Sequence, residues 1–173
     1  KKDFKKVLKY FHDKKMRVNR KFVINKVIDH LDSQGLLPTL MFVFSKKGCY
    51  EYAKMVEKSL FKEGETYSST VKKRATQILI DKLSNWKEYT SLPEFRNIIR
   101  LLEKGIAVHH ASVTPIFREM IEILYRENYI RLLIATETFA VGINMGIKSV
   151  IFTSLTKHCL LYTSPSPRDR SSS

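Results

Sequence analysis

Cysteine is nearly missing from this sequence. Cys49 and Cys159 are the only two in 173 residues, too few for a disulfide framework and without metal-ligand spacing. That scarcity fits a reducing compartment, so an intracellular location is the expectation. Long apolar runs are missing too: nothing approaches the roughly 18 residues that a membrane-spanning helix needs. The lysine-rich start is followed by no apolar stretch of the kind a secretory leader carries, and no membrane partner is expected. Acidic residues are the third shortage, with 17 Asp and Glu against 31 Lys and Arg, a net charge of +14. Residues 1–26 hold eleven basic and two acidic residues, so +9 of that charge lies there. Such blocks bind nucleic acid by neutralising phosphates and releasing counterions. They also occur as solvated lysine faces of helices. The charge points to a polyanion without naming one.

What is present is a repeated alternation of apolar runs and helical patterns. Residues 1–38 read as a basic lead and a linker helix. Asn19 caps that helix, which runs to about Asp32 with Phe22, Val23, Val27, Ile28 and Leu31 on one face. Ser33-Gln34-Gly35 stops it. Thr39 to Phe44 is an uninterrupted apolar strand suited to the middle of a parallel sheet. A helix with Tyr52, Ala53, Val56 and Leu60 inward follows the turn Ser45-Lys46-Lys47-Gly48. Residues 61–104 read as a helical insertion, with one pattern through Ala75, Ile78, Leu79 and Leu83 and another through Phe95, Ile98, Ile99 and Leu102. Ile106 to Val108 is a short strand running into His109-His110-Ala111-Ser112. Thr114, Pro115 and Glu119 mark a helix start, with Phe117, Met120, Ile121, Leu124 and Tyr125 inward. Strands at Ile130 to Ala135 and Val150 to Phe152 complete the series. Strands alternating with helices predict an α/β fold with a parallel sheet.

In such a sheet the carboxyl ends of the strands share one edge, and ligands bind there. Three of these ends carry hydroxyl, basic or histidine-containing turns: Ser45-Lys46, His109 to Ser112, and Thr136 to Thr138. The last suits a helix N-terminus, whose free N–H groups favour anions. Each turn alone is weak; three on one edge of a basic domain predict a surface that grips a phosphate chain. The plainer alternatives stand beside this. Thr136 on spacing alone is a helix cap, Trp86 a packing residue, Cys49 a small buried residue, and Glu119 and Glu122 a solvated helix face. His109 and His110 have no further ligand at metal spacing.

The stretches PTLMFVFSKKGCYEYA, GIAVHHA and ATETFAVGINM, at this spacing, resemble the second RecA-like domain of superfamily 2 DExH-box helicases, most nearly the superkiller/exosome-cofactor type of RNA helicase. The resemblance covers about Leu36 to Lys157 and implies a RecA-like sheet flanked by helices. It implies that residues 39–158 are part of such a domain, with the 61–104 insertion its loosest part. Ser45 and Lys46 match motif IV, whose turn touches the nucleic-acid backbone. His110, Ala111 and Ser112 match the family's HHAG turn, another backbone contact. Thr136 and Glu137 match the start of motif V, where the threonine meets a phosphate. Gly142 and Asn144 match its later part, which faces the ATP cleft between two RecA-like domains. Implied partners are single-stranded or partly duplex RNA, the first RecA-like domain, and an RNA-processing complex; ATP and magnesium are the implied cofactors of the intact protein.

Two positions depart from the family pattern. Ser112 stands where Gly is usual, adding a Cβ where backbone approaches phosphate, and Gly146 stands where Pro is usual. The sequence also lacks a Gly-rich phosphate loop with its lysine, a DExH acid and motif VI. The expectation is therefore the nucleic-acid-gripping and ATP-coupling half of a helicase motor, a fragment that does not hydrolyse ATP alone. A DNA helicase of the same superfamily and a non-catalytic nucleic-acid-binding or scaffold domain are the alternatives. The end of the chain, Cys159 to Asp169 (CLLYTSPSPRD), resembles a translated transposase-type sequencing adaptor, so residues 159–173 are expected to be non-native and to pack on nothing. The alternative is a flexible Ser/Pro/Arg tail open to phosphorylation.

Overall fold

A computed structural model describes residues 19–62, 64–136 and 146–153. Four strands form one parallel sheet: β1 (Thr39–Phe42), β2 (Ile106–His109), β3 (Leu132–Ala135) and β4 (Ser149–Phe152), in the spatial order β2-β3-β1-β4. The helices are α1 (Arg20–Ser33), α2 (Lys46–Met55), α3 (Tyr67–Lys82), α4 (Trp86–Ser91), α5 (Pro93–Leu102) and α6 (Pro115–Arg126). This is an α/β fold of the kind expected, consistent with a RecA-like helicase domain. No helix among the described residues is long and apolar enough to cross a membrane.

Side chains alternate across each strand, so the sheet separates two cores. Leu40, Ala107, Leu133 and Ala135 face α3, α5 and α6, which contribute Val71, Leu79, Phe95, Leu102, Phe117 and Leu124. Met41, Val43, Ile106, Val108, Leu132 and Ile134 face the other way, onto Ile24 and Ile28 of α1 and Cys49 and Ala53 of α2. β2 and β3 are buried along their length, as expected of strands covered on both faces. β4 lies at the sheet edge with Val150 and Phe152 exposed, Phe152 stacking on Phe42 at 5.2 Å between ring centroids.

Several local expectations need correcting. β1 ends at Phe42, and Phe44 is exposed. In α1 the inward residues are Ile24 and Ile28, while Phe22 and Val23 face solvent. At helical spacing Ile24, Val27, Ile28 and Leu31 share one arc and Phe22 falls on the opposite side, so the docked face is the arc without Phe22. The Asn19 cap holds, its side chain accepting from Phe22 N–H at 3.1 Å. Gly35, at φ +64°, ends the helix in the left-handed region. The polar stretch before Val71 is helical from Tyr67. Trp86 packs against the core, and Cys49 is fully buried, with burial raising its thiol to about 11. Glu119 and Glu122 are not a free solvated face, because they meet Lys82 at 2.6 Å and His109 at 3.1 Å.

Candidate nucleic-acid interface

Parallel pairing of β1, β2 and β3 sets their carboxyl ends on one edge. At the end of β1 the chain leaves the sheet with Val43 N–H bonded to the Ala135 carbonyl. Ser45 then adopts extended backbone and becomes the N-cap of α2, its Oγ accepting from Gly48 N–H at 3.0 Å. Gly48 is required here by close approach. A Cβ would lie 2.7 Å from Ser45 Oγ and 2.8 Å from Val43 Cγ1. Lys46 and Lys47 fill the first turn of α2, which contains no acidic residue.

At the end of β2, His110 is buried, and its Nδ1 accepts from Ser112 N–H at 3.2 Å. The proton of the neutral ring therefore sits on Nε2, an atom without a partner among the described residues. Burial first, then the nearby Lys46 charge, lower the pKa of His110. Burial likewise lowers that of His109, opposed by its contact with Glu122. His110 also meets Tyr50 edge-on at 5.4 Å. Val113 N–H returns to the His110 carbonyl, so residues 110–113 form a tight turn with Ala111 and Ser112 exposed on it.

The first two ends meet directly. Lys46 Nζ donates to Ser112 Oγ, and among the described residues this ammonium has no acidic partner. The third end joins through the backbone, with Thr136 N–H donating to the His109 carbonyl at 3.3 Å. The structure thus brings Ser45, Lys46, His110, Ala111, Ser112 and Thr136 onto one edge. Glu137, Gly142 and Asn144 lie outside the described residues. Ser112, the departure from the expected glycine, supplies the hydroxyl that Lys46 meets.

One pairing here, between Thr114 and Glu94, was invisible to spacing arguments. Thr114 stands at the N-cap of α6 but makes no side-chain cap bond. Instead its N–H and Oγ1 both donate to the Glu94 carboxylate of α5, at 3.1 and 2.6 Å. The available clue was the missing reciprocal acid: a capping box places Glu or Gln at the third helical position, where this helix has Phe117.

No protein-family model matches the chain. Among curated proteins, it is 41% identical over 135 residues, 77% of its length, to the antiviral helicase SKI2 of Saccharomyces cerevisiae, covering 10% of that protein. It is 38% identical over 135 residues, 76% of its length, to the exosome RNA helicase MTR4 of Homo sapiens, covering 12% of it. It is 39% identical over 134 residues, 78% of its length, to the DExH-box ATP-dependent RNA helicase DExH9 of Arabidopsis thaliana, covering 13%. The chain therefore spans about a tenth of the length of the curated relatives it matches. These relatives are of the type that the motifs resemble.

Proposed function

With its likeness to SKI2-, MTR4- and DExH9-type helicases as premise, we propose that this chain is part of the second RecA-like domain of an ATP-dependent RNA helicase. In this reading the carboxyl edge of its sheet holds the nucleic-acid strand. The observation that carries the reading is the meeting of Lys46 and Ser112 across two strand ends, with no acid beside the ammonium among the described residues. An ammonium in the first turn of a helix opposes the helix dipole, and an incoming anion relieves that opposition. Ser112 Oγ accepts from Lys46, which leaves its own hydrogen to donate. The remaining Lys46 N–H groups point the same chemistry at a phosphate oxygen. Exposed Ala111 and Ser112 let the backbone approach the strand, and Thr136 adds a hydroxyl from the neighbouring strand end.

These contacts address the sugar–phosphate backbone and read no base edge, which suits a motor that must hold any sequence. Among the described residues no three His, Cys, Asp or Glu come together to hold a metal ion. In this reading ATP and magnesium are bound by the intact protein, and the resemblance assigns Gly142 and Asn144 to the cleft shared with the first RecA-like domain. Closure of two such domains changes their grip on the strand, and alternating grip moves the motor along it. Residues 45–46, 110–112 and 136–137 hold; they break no bond. An RNA-processing complex is the proposed setting, by analogy with the exosome named in the MTR4 relative.

Fluorescence anisotropy with labelled single-stranded RNA, and with DNA of the same sequence, tests the proposal. The expected result is salt-sensitive binding of RNA by the chain and no ATP turnover by the chain alone. Failure to bind RNA at low salt contradicts it, and ATP hydrolysis by the purified chain contradicts the division of labour. Tighter binding of DNA supports instead the DNA helicase of the same superfamily.

A further inference from the structure

We propose that Glu94 is a positioning residue for the strand-gripping turn, which ties the helices between β1 and β2 to nucleic-acid binding through one carboxylate. The inference rests on the reading above that the Lys46–Ser112 edge holds the strand. The turn is pinned at both ends. On the β2 side, Ser112 N–H is held by His110 Nδ1 and Val113 N–H by the His110 carbonyl. On the α6 side, the Thr114 N–H and hydroxyl are both held by Glu94. The 2.6 Å hydroxyl contact is in the range of a charge-assisted bond to a carboxylate. Between these anchors lie the exposed Ala111 and Ser112.

The anchor itself is rigid. Glu94 sits in the first turn of α5, whose Phe95, Ile98, Ile99 and Leu102 are buried. It also lies at the N-terminal ends of both α5 and α6, where the helix dipoles favour a negative charge. Both Glu94 oxygens already accept from Thr114, and the carboxylate repels phosphate, so direct contact with the strand's phosphates would weaken rather than strengthen the grip. Geometry and direct electrostatics therefore predict opposite outcomes when the charge is removed. A Glu94 that only repels the strand gives tighter binding on neutralisation. A Glu94 that sets the turn gives weaker binding despite the added net positive charge.

The test is binding of labelled single-stranded RNA by the full chain carrying Glu94→Gln, Glu94→Ala or Thr114→Val, with Lys46→Ala as the control for the edge. We expect a several-fold loss of affinity for Glu94→Ala and for Thr114→Val. Glu94→Gln should retain part of the wild-type affinity, because an amide oxygen replaces one of the two acceptors. Combined with Ser112→Ala, Glu94→Gln should cost less than it does alone, since both act through one turn. Thr114→Val keeps the shape of the side chain, so it carries the test if Glu94→Ala does not fold. Unchanged or tighter binding by the Glu94 variants, while Lys46→Ala weakens it, overturns this inference alone. No binding by the wild type overturns both this inference and the reading it rests on.

Discussion

A lysine in the first turn of a helix faces the positive end of the helix dipole, a placement that costs up to about 1 kcal/mol when nothing offsets it. Lys46 and Lys47 both stand there, and among the described residues only Lys47 has an acidic neighbour, Glu51 at 3.8 Å. The strain is modest and falls where a strand phosphate would remove it. Close by, the buried histidines set a pH dependence. Burial lowers the pKa of His109 and His110 below the ordinary 6.5, so the unfolded chain binds more protons than the folded one as pH falls through that value. Their contribution to stability is fully present above about 6.5 and is lost progressively below it. Denaturant unfolding at pH 7.5 and 5.5 should show a lower midpoint at 5.5, and His110→Asn should flatten the difference. A midpoint that is flat in wild type would contradict the buried neutral rings. Asn19 as a helix cap and Cys49 as a buried residue were legible from sequence because both follow from local chemistry. The Glu94 bonds were not, since 20 residues separate the partners.

Helices and strands were legible wherever the apolar pattern had one clear face. α5 and α6 are the clearest cases: Phe95, Ile98, Ile99 and Leu102, and Phe117, Met120, Ile121, Leu124 and Tyr125, are buried as their spacing requires. α1 is the exception: Ile24, Val27, Ile28 and Leu31 share one arc at helical spacing, and Phe22, expected on that face, falls on the opposite side of the helix. Phe22 ends outside, with Lys26 Nζ over its ring at 5.8 Å. At this scale the helices of residues 61–104 are joined to α6 and its C-terminal end by two kinds of contact of unequal weight. Arg74 of α3 reaches Glu127 beyond α6 through two bonds of 2.7 and 2.5 Å, but a third of each side chain is exposed. Arg74→Ala should therefore cost only about 0.5–1 kcal/mol. Phe117 is fully buried between Tyr89 and Phe95, and Phe117→Ala should cost about 3–5 kcal/mol. Chemical denaturation of the two variants measures both, and equal losses would mean that the ion pair is less screened than its exposure implies.

For the whole molecule, the order β2-β3-β1-β4 matters more than any one element. β3 enters between β1 and β2, so the strand ends at Phe42, His109 and Ala135 lie side by side although far apart in sequence. The parallel sheet and its shared edge were legible from the alternation of elements. The direct Lys46–Ser112 contact was not, because alternation gives the edge but not which loops touch across it. The placement of Glu137, Gly142 and Asn144 falls outside the described residues, as do the basic lead up to Val18 and the tail from Ser154 onward. The +9 of charge in residues 1–26 offers a rival explanation for any RNA binding by the chain, so binding alone does not locate the grip.

The most direct measurement is a salt series. Affinity of the chain for single-stranded RNA is followed from about 50 to 200 mM salt, beside a Lys46→Ala, Thr136→Ala double variant. If the sheet edge holds the strand, the variant binds about tenfold more weakly, the worth of one charge-assisted bond of ~1.5 kcal/mol. The slope of log affinity against log salt also falls by about 0.7, the loss of one ionic contact to a single strand. Affinity and slope both unchanged in the variant would contradict a grip at Lys46 and Thr136 and assign the hold to the basic lead.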